Sequence, residues 1–202
     1  EKHNLFTGVS MSAKVAALVS NVNNERANPK AKGGKCKQLI FCDLLGMHKK
    51  IKLALTQFAN IPADKIKIVN AVEIDDAGLM QEVQDGFNAE ADENRYEIII
   101  ANKKAEVGIN LQKGSQAVHH LTTGWTPDSL QQRDGRVARQ GNYVDSIAIY
   151  HYHANGTFDE YKQQLVSVKS DWIMDLLRGT GERVSIEGGL SKEDMETLAS
   201  FV

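Results

Sequence analysis

Cysteine and proline are scarce in this sequence, with two Cys and three Pro in 202 residues. Cys36 and Cys42 cannot build the disulfide framework that staples small secreted domains, and reduced thiols in a cytoplasm are the simpler reading. No apolar run approaches the roughly 20 residues that a helix needs to cross a bilayer. The opening Glu1-Lys2-His3-Asn4 is neither an initiator Met nor a signal peptide, and it raises the expectation of an excised or processed piece. No Gly-x-x-x-x-Gly-Lys-Ser/Thr loop occurs, and no Asp-Glu-x-His/Asp. The chain therefore lacks the backbone cradle and the acidic Mg²⁺ ligands of a self-sufficient phosphate-loop NTPase. Asp43-Leu44-Leu45-Gly46 stands where a dinucleotide-binding or methyltransferase fold would carry Gly-x-Gly after its first strand, so those classes are disfavoured.

Nor is there a strong overall charge: the formal net charge is −2. The distribution is uneven, however. Residues 30–52 hold seven Lys against one Asp, residues 73–97 hold nine acidic residues against one Arg, and residues 102–142 are again basic. Such asymmetry can create a phosphate-facing surface on an acidic protein, although two solvated faces of opposite sign would read the same way. With 42% hydrophobic and 25% charged residues the composition is that of an ordinary globular domain with a small appendage.

Helical spacing of Val15, Leu18, Val19 and Val22 predicts a first helix after Ser10/Ser12, ended by Asn28-Pro29 and Gly33-Gly34. Strands are predicted over 37–43, 65–69, 96–101, 117–122 and 146–153. Helices are predicted around Met47–Phe58, after Asp75/Asp76, from Thr126-Pro127, and over 157–177. Alternating short apolar strands and helices predict an α/β fold: an open, mainly parallel sheet with helices on both faces. Ligands of such sheets sit beyond the carboxyl ends of the strands. Residues 1–34 read as an N-terminal helix and linker, 35–178 as the main lobe with a long closing helix, and 179–202 as a linker and short helix.

The segment most informative about chemistry is Gln131-Gln132-Arg133-Asp134-Gly135-Arg136-Val137-Ala138-Arg139-Gln140-Gly141. Placed on a helix at about 100° per residue, Gln132, Arg136, Arg139 and Gly135 share one face, while Leu130 and Val137 fall on the other. Two outward guanidiniums one turn apart suit a polyphosphate, because each stays charged and can donate paired hydrogen bonds to phosphoryl oxygens. The plainer alternative is a solvated surface helix.

This segment resembles motif VI of superfamily 2 helicases, Gln-x-x-Gly-Arg-x-x-Arg, with Gln132, Gly135, Arg136 and Arg139 in register. Asn102 through Gln112 resembles motif V, with Gly108 and Asn110 at its core. Lys37–Asp43 resembles motif IV. Trp125-Thr126-Pro127, and the run Asn155-Gly156-Thr157-Phe158-Asp159-Glu160 that opens the last helix, resemble signatures of the Snf-type branch. The likeness covers roughly residues 35–178 in the family's motif order and extends to helicase modules of phage or plasmid defence and antirestriction proteins. Asn102, where the family usually has Thr or Ser, is a departure.

The resemblance implies a RecA-like second motor lobe. A separate first RecA-like lobe would bind most of ATP and its Mg²⁺, and this lobe would supply Arg136 and Arg139 as catalytic fingers, with Arg139 the one acting in the transition state. Gln132, Gly135, Gly108 and Asn110 would line the nucleotide. Asp43, Lys49, Asn102, Lys103, Thr122 and Thr123 would face the backbone of DNA, by family preference duplex. The isolated chain would be inactive. A lobe kept only as a non-catalytic scaffold for nucleic acid or protein is the alternative. No metal site is expected: His119-His120 alternate across a strand, and no Cys or carboxylate joins them or His151 and His153 at metal-ligand spacing. Trp125 and Tyr143 could stack a base, but packing of Trp125 beside Pro127 is the plainer role.

Overall fold

A computed structural model describes residues 11–30, 36–74, 76–89, 95–106 and 109–178. The sequence expectations for Asp75, Gly108 and the segment 179–202 lie outside these. Two units divide the chain, 1–166 and 167–202. In the second, the described residues 167–178 are helical.

The first unit is organised by five short strands: β1 (Lys37–Phe41), β2 (Ile66–Val69), β3 (Ile98–Ala101), β4 (Ser115–His120) and β5 (Ala148–His151). Every pairing is parallel, and the order across the sheet is β2-β3-β1-β4-β5. β1, β3 and β4 are buried along their whole length, as central parallel strands covered on both faces must be. This is the expected α/β, RecA-like architecture. The strands are each shorter than expected except β4, which begins two residues early. Its polar Ser115 and Gln116 hid that start, yet both are satisfied inside: Ser115 Oγ donates to Leu111 O and Gln116 Nε2 to Glu25.

Local chemistry sets the helices. α1 (Ala13–Ala27) is capped by Ser12, whose Oγ accepts from Val15 N. α2 (Leu45–Phe58) has no side-chain cap, whereas α3 (Ala77–Asn88) begins at Asp76, which accepts from the amides of Gly78 and Leu79. α4 (Pro127–Asp134) starts on Thr126 with Pro in its first turn. α5 (Phe158–Arg178) opens with a reciprocal box: Asp159 N donates to Thr157 Oγ1 while Glu160 reaches back to Gly156 N at 2.6 Å.

The sheet separates two apolar clusters. On one face Val15, Leu18, Val19 and Val22 of α1 join Ile51, Ala54 and Leu55 of α2 against Ile40, Ile98 and Ile100. On the other, Val83 and Phe87 of α3 join Leu39, Phe41, Ile99, Val118 and Val137. Each fully buried aliphatic or aromatic side chain contributes roughly 1.5–3 kcal/mol.

The chain passes from β1 to one side of it through β2 and β3, then returns to β4 on the other side. That reversal places a crevice between the loops leaving β1 and β4, where open α/β sheets take their ligands.

Candidate nucleotide and nucleic-acid interface

The arginine segment is not one continuous helix, which corrects the sequence expectation. α4 stops at Asp134, and Gly135 caps it with its amide on Gln131 O. Single turns follow: Arg136 N to Arg133 O, Val137 N to Asp134 O, Arg139 N to Val137 O. The reason lies beyond the segment. Asn142 Nδ2 captures the carbonyls of Val137 and Ser115, its Oδ1 accepts from Gly114 N, and Gly141 turns at φ +95°. The segment is thus pinned to the loop before β4. There Gly114 sits at φ +76°, a left-handed conformation that favours glycine, with the Tyr143 hydroxyl where a Cβ would stand.

The expected division of faces survives the broken helix. Val137 is buried and Arg139 exposed, with Gln132, Gly135 and Arg136 half-buried. Both arginines turn to one stretch of chain: Arg136 Nη1 donates to Ile109 O at 2.9 Å and Arg139 Nη1 to Asn110 Oδ1. Asn110 N is held in turn by Gln84 Oε1, and its carbonyl by Asn88 Nδ2. Motifs V and VI, far apart in sequence, therefore form one edge. Gln132 Nε2 donates to Asp128 Oδ2 at 2.7 Å. Gly108 is outside the described residues.

The nucleic-acid candidates divide. Lys49 is 84% exposed, with Glu73 at 3.7 Å. Lys103 is exposed on a one-turn helix, and Asn102 is half-buried at the end of β3. Thr123 is buried, its hydroxyl on Gln163 of α5. Asp43 and Thr122 hold each other across the crevice: Asp43 N donates to Thr122 Oγ1 at 2.8 Å, and that hydroxyl donates to Asp43 Oδ2.

The partner of this pair is a residue that sequence reasoning passed over. Arg133, 1% exposed, puts Nη2 within 3.0 Å of both Asp43 carboxylate oxygens and Nη1 3.2 Å from Thr122 O, with its guanidinium over the Phe41 ring. The signal was available: on a helix Arg133 falls nearer to the apolar Val137 than to Gln132, Arg136 or Arg139, and a cation on an apolar face needs a partner. Beside it Asp134 accepts from His120 Nε2 at 2.7 Å, and His120 stacks between Phe41 and His151. Lys37 was also missed. Its buried ammonium reaches the carbonyls of Phe87 and Ala89, where a cation complements the carboxyl end of α3.

His48 of α2 ties together the loops leaving β1 and β2. Asn70 Oδ1 accepts from the amides of Val72 and Glu73, so its Nδ2 donates to His48 Nδ1, leaving His48 Nε2 to donate to Cys42 O. Burial raises the thiol pKa of Cys42 and pushes that of Cys36 up to about 12, so neither is a ready nucleophile. Trp125 does not pack inside. It is exposed, with Phe158 edge-on and Lys162 over its ring. Among the described residues no three His, Cys, Asp or Glu gather as a metal site would need, and no helix is long and apolar enough to cross a membrane.

Comparisons with known proteins bear on the family and the fold. A curated relative, "Defense against restriction protein B" of Escherichia phage P1, is 32% identical over 215 aligned positions, which cover 81% of this chain and 10% of that protein. This chain thus spans about a tenth of that relative's length. Among solved structures, the C-terminal part of the Fun30 ATPase domain superposes with a TM-score of 0.64 at 20% identity, covering 77% of this chain and 46% of that one. The helicase MrfA bound to DNA gives 0.59 at 12% identity, covering 79% and 21%. The Pyrococcus furiosus Hef helicase domain gives 0.52 at 18%, covering 76% and 28%. These likenesses carry the fold. The family model described as "Helicase conserved C-terminal domain" matches residues 14–141, from the first turn of α1 to the end of the arginine segment, and the chain belongs to that family.

Proposed function

We propose that this chain is the second motor lobe of an ATP-dependent DNA helicase or translocase of the Snf-type branch, acting in a cytoplasm. ATP is the substrate, held with its Mg²⁺ mainly by a separate first lobe, which is this chain's principal partner. Arg136 and Arg139 meet its terminal phosphate, Arg139 as the transition-state finger. Gln132, Gly135, Gly108 and Asn110 line the nucleotide. The observation that carries this reading is the convergence of both guanidiniums on Ile109–Asn110. A carbonyl and a side-chain amide are weak neutral partners for a cation, and a phosphate oxygen is a stronger one. The donors are therefore oriented before the charge they would stabilise develops, which is how a preorganised finger lowers a barrier.

Lys49, Asn102, Lys103, Thr122, Thr123 and the Asp43 loop form the face toward the DNA backbone. These groups position a phosphodiester chain without reading its sequence. The phage relative's name speaks of defence against restriction. A motor lobe in a protein of that kind would act on duplex DNA.

The test is ATP hydrolysis by the full natural protein, with and without duplex DNA, for wild type and Arg139→Ala. DNA-stimulated turnover is expected to fall by roughly 10³ or more in the variant, as loss of an arginine finger does. Unchanged turnover removes the finger assignment. No turnover in the wild type favours a scaffold lobe.

A further inference from the structure

We propose that Arg133 is a positioning residue that couples the DNA-facing loops to the nucleotide-facing arginines, an inference that rests on the motor reading above. Its guanidinium spans the crevice between β1 and β4, joining Asp43 of one loop to Thr122 of the other. Both Asp43 oxygens are occupied by Arg133 and Thr122, so this carboxylate, which would repel a phosphate, is already neutralised within the lobe. Its task is to hold Arg133.

The linkage has little slack. Arg133 is buried and always charged, so leaving its carboxylate would break a desolvated ion pair. It sits on the last turn of α4, and its carbonyl accepts from Arg136 N at 3.1 Å. His120 holds the adjacent Asp134 from the same strand that leads to Thr122. Any shift of the Asp43 and Thr122 loops is therefore passed through one side chain to the backbone that aims Arg136, and from there along the same turns to Arg139. DNA engagement at the crevice would set the fingers by this route.

The experiment measures ATP turnover of the full natural protein at saturating ATP, with no DNA and with saturating duplex DNA. It compares wild type, Arg133→Met, Arg133→Lys, and the double variant Arg133→Met with Asp43→Asn, with Arg139→Ala as reference. The double variant removes both charges together and so avoids a stranded one. Arg133→Met should lower the ratio of DNA-stimulated to basal turnover by roughly 5- to 150-fold, the usual span of coupling between linked sites. Basal turnover and KM for ATP should stay within about twofold of wild type, since a merely structural loss would not spare them. The double variant should lose no more than the single, as partners in one contact do, and Arg133→Lys should recover part of the ratio. A double variant that melts with the wild type and keeps full stimulation overturns the proposal. So does stimulation restored by excess DNA, which would make Arg133 a determinant of DNA affinity alone. Full activity in Arg139→Ala removes the finger assignment alone, and no turnover in the wild type sinks the motor reading itself, whatever the Arg133 variants do.

Discussion

His119 and His120 are neighbours on β4 and point into opposite halves of the molecule. On the α1 side both ring nitrogens of His119 are hydrogen-bonded. Gln38 Nε2 donates to Val22 O and Cys36 Sγ, so Gln38 Oε1 accepts from His119 Nε2. His119 Nδ1 accepts from the Tyr152 hydroxyl, which itself accepts from Asn21. Glu25 closes the neighbouring knot through Tyr150, Gln116 and Lys30. On the α4 side His120 is just as buried, yet among the described residues only Nε2 is bonded and Nδ1 has no hydrogen-bond partner. Its partner Asp134 is partly open to solvent and belongs to the arginine segment. One face carries a closed network that fixes a core. The other carries a looser one that ends on the arginine segment. A buried network earns rigidity only when complete, and the side left incomplete is the side that would have to move.

Paired substitutions test this most sharply. His119→Phe leaves the Tyr152 hydroxyl without its acceptor and Gln38 Oε1 without its donor in the core, and at ~1–3 kcal/mol for each of the two it should cost about 2–6 kcal/mol. His120→Phe keeps the stacking with Phe41 and His151, removes an Nδ1 with no partner among the described residues, and gives up one bond to the partly solvated Asp134, so it should cost about 1 kcal/mol. The overpacking of a larger ring enters both, and the difference isolates the polar part. Equal losses in urea unfolding would mean that the two faces do not differ.

Acid should find the same asymmetry. Burial, with a smaller contribution from His120, drives the His119 pKa down to about 3, whereas an unfolded histidine titrates near 6.5. The unfolded chain thus takes up the proton first. The stability that His119 contributes is complete above about pH 6.5 and is lost as pH falls from there toward 3. Between pH 7 and pH 5 this amounts to up to about 2 kcal/mol. His151, also lowered by burial, adds in the same direction. The urea midpoint of wild type should therefore drop between pH 7 and pH 5, and that of His119→Gln should drop less. Parallel slopes would remove His119 as the acid-sensitive group.

The fold was legible because parallel strands buried on both faces leave apolar runs such as Ile98-Ile99-Ile100, which no other arrangement explains as simply. Arg136 and Arg139 were legible as a pair, since their spacing is local and their chemistry is carried by the side chain alone. The break after Asp134 was not, because Asn142 and Gly114 impose it from another loop. Arg133 and Lys37 show the general limit. A charged residue looks like surface until the fold supplies its partner, and Asp43 lies 90 positions from Arg133. Their burial is a tertiary fact, only hinted at by position on a helix or strand.

The smallest expected effect on stability belongs to Lys49, and it separates binding from architecture. Its ammonium is almost wholly in water and lies 3.7 Å from Glu73, so Lys49→Ala should change unfolding free energy by less than about 0.5 kcal/mol. If α2 lies along the DNA track, the same change should reduce the slope of log Kd against log salt by about one, the signature of one lost phosphate contact. A titration of the full natural protein with duplex DNA at several salt concentrations reads that slope directly. An unchanged slope would take α2 out of the track. The DNA face would then narrow to Asn102, Lys103 and the crevice that Arg133 spans, leaving that ion pair closer to the phosphates than any lysine on α2.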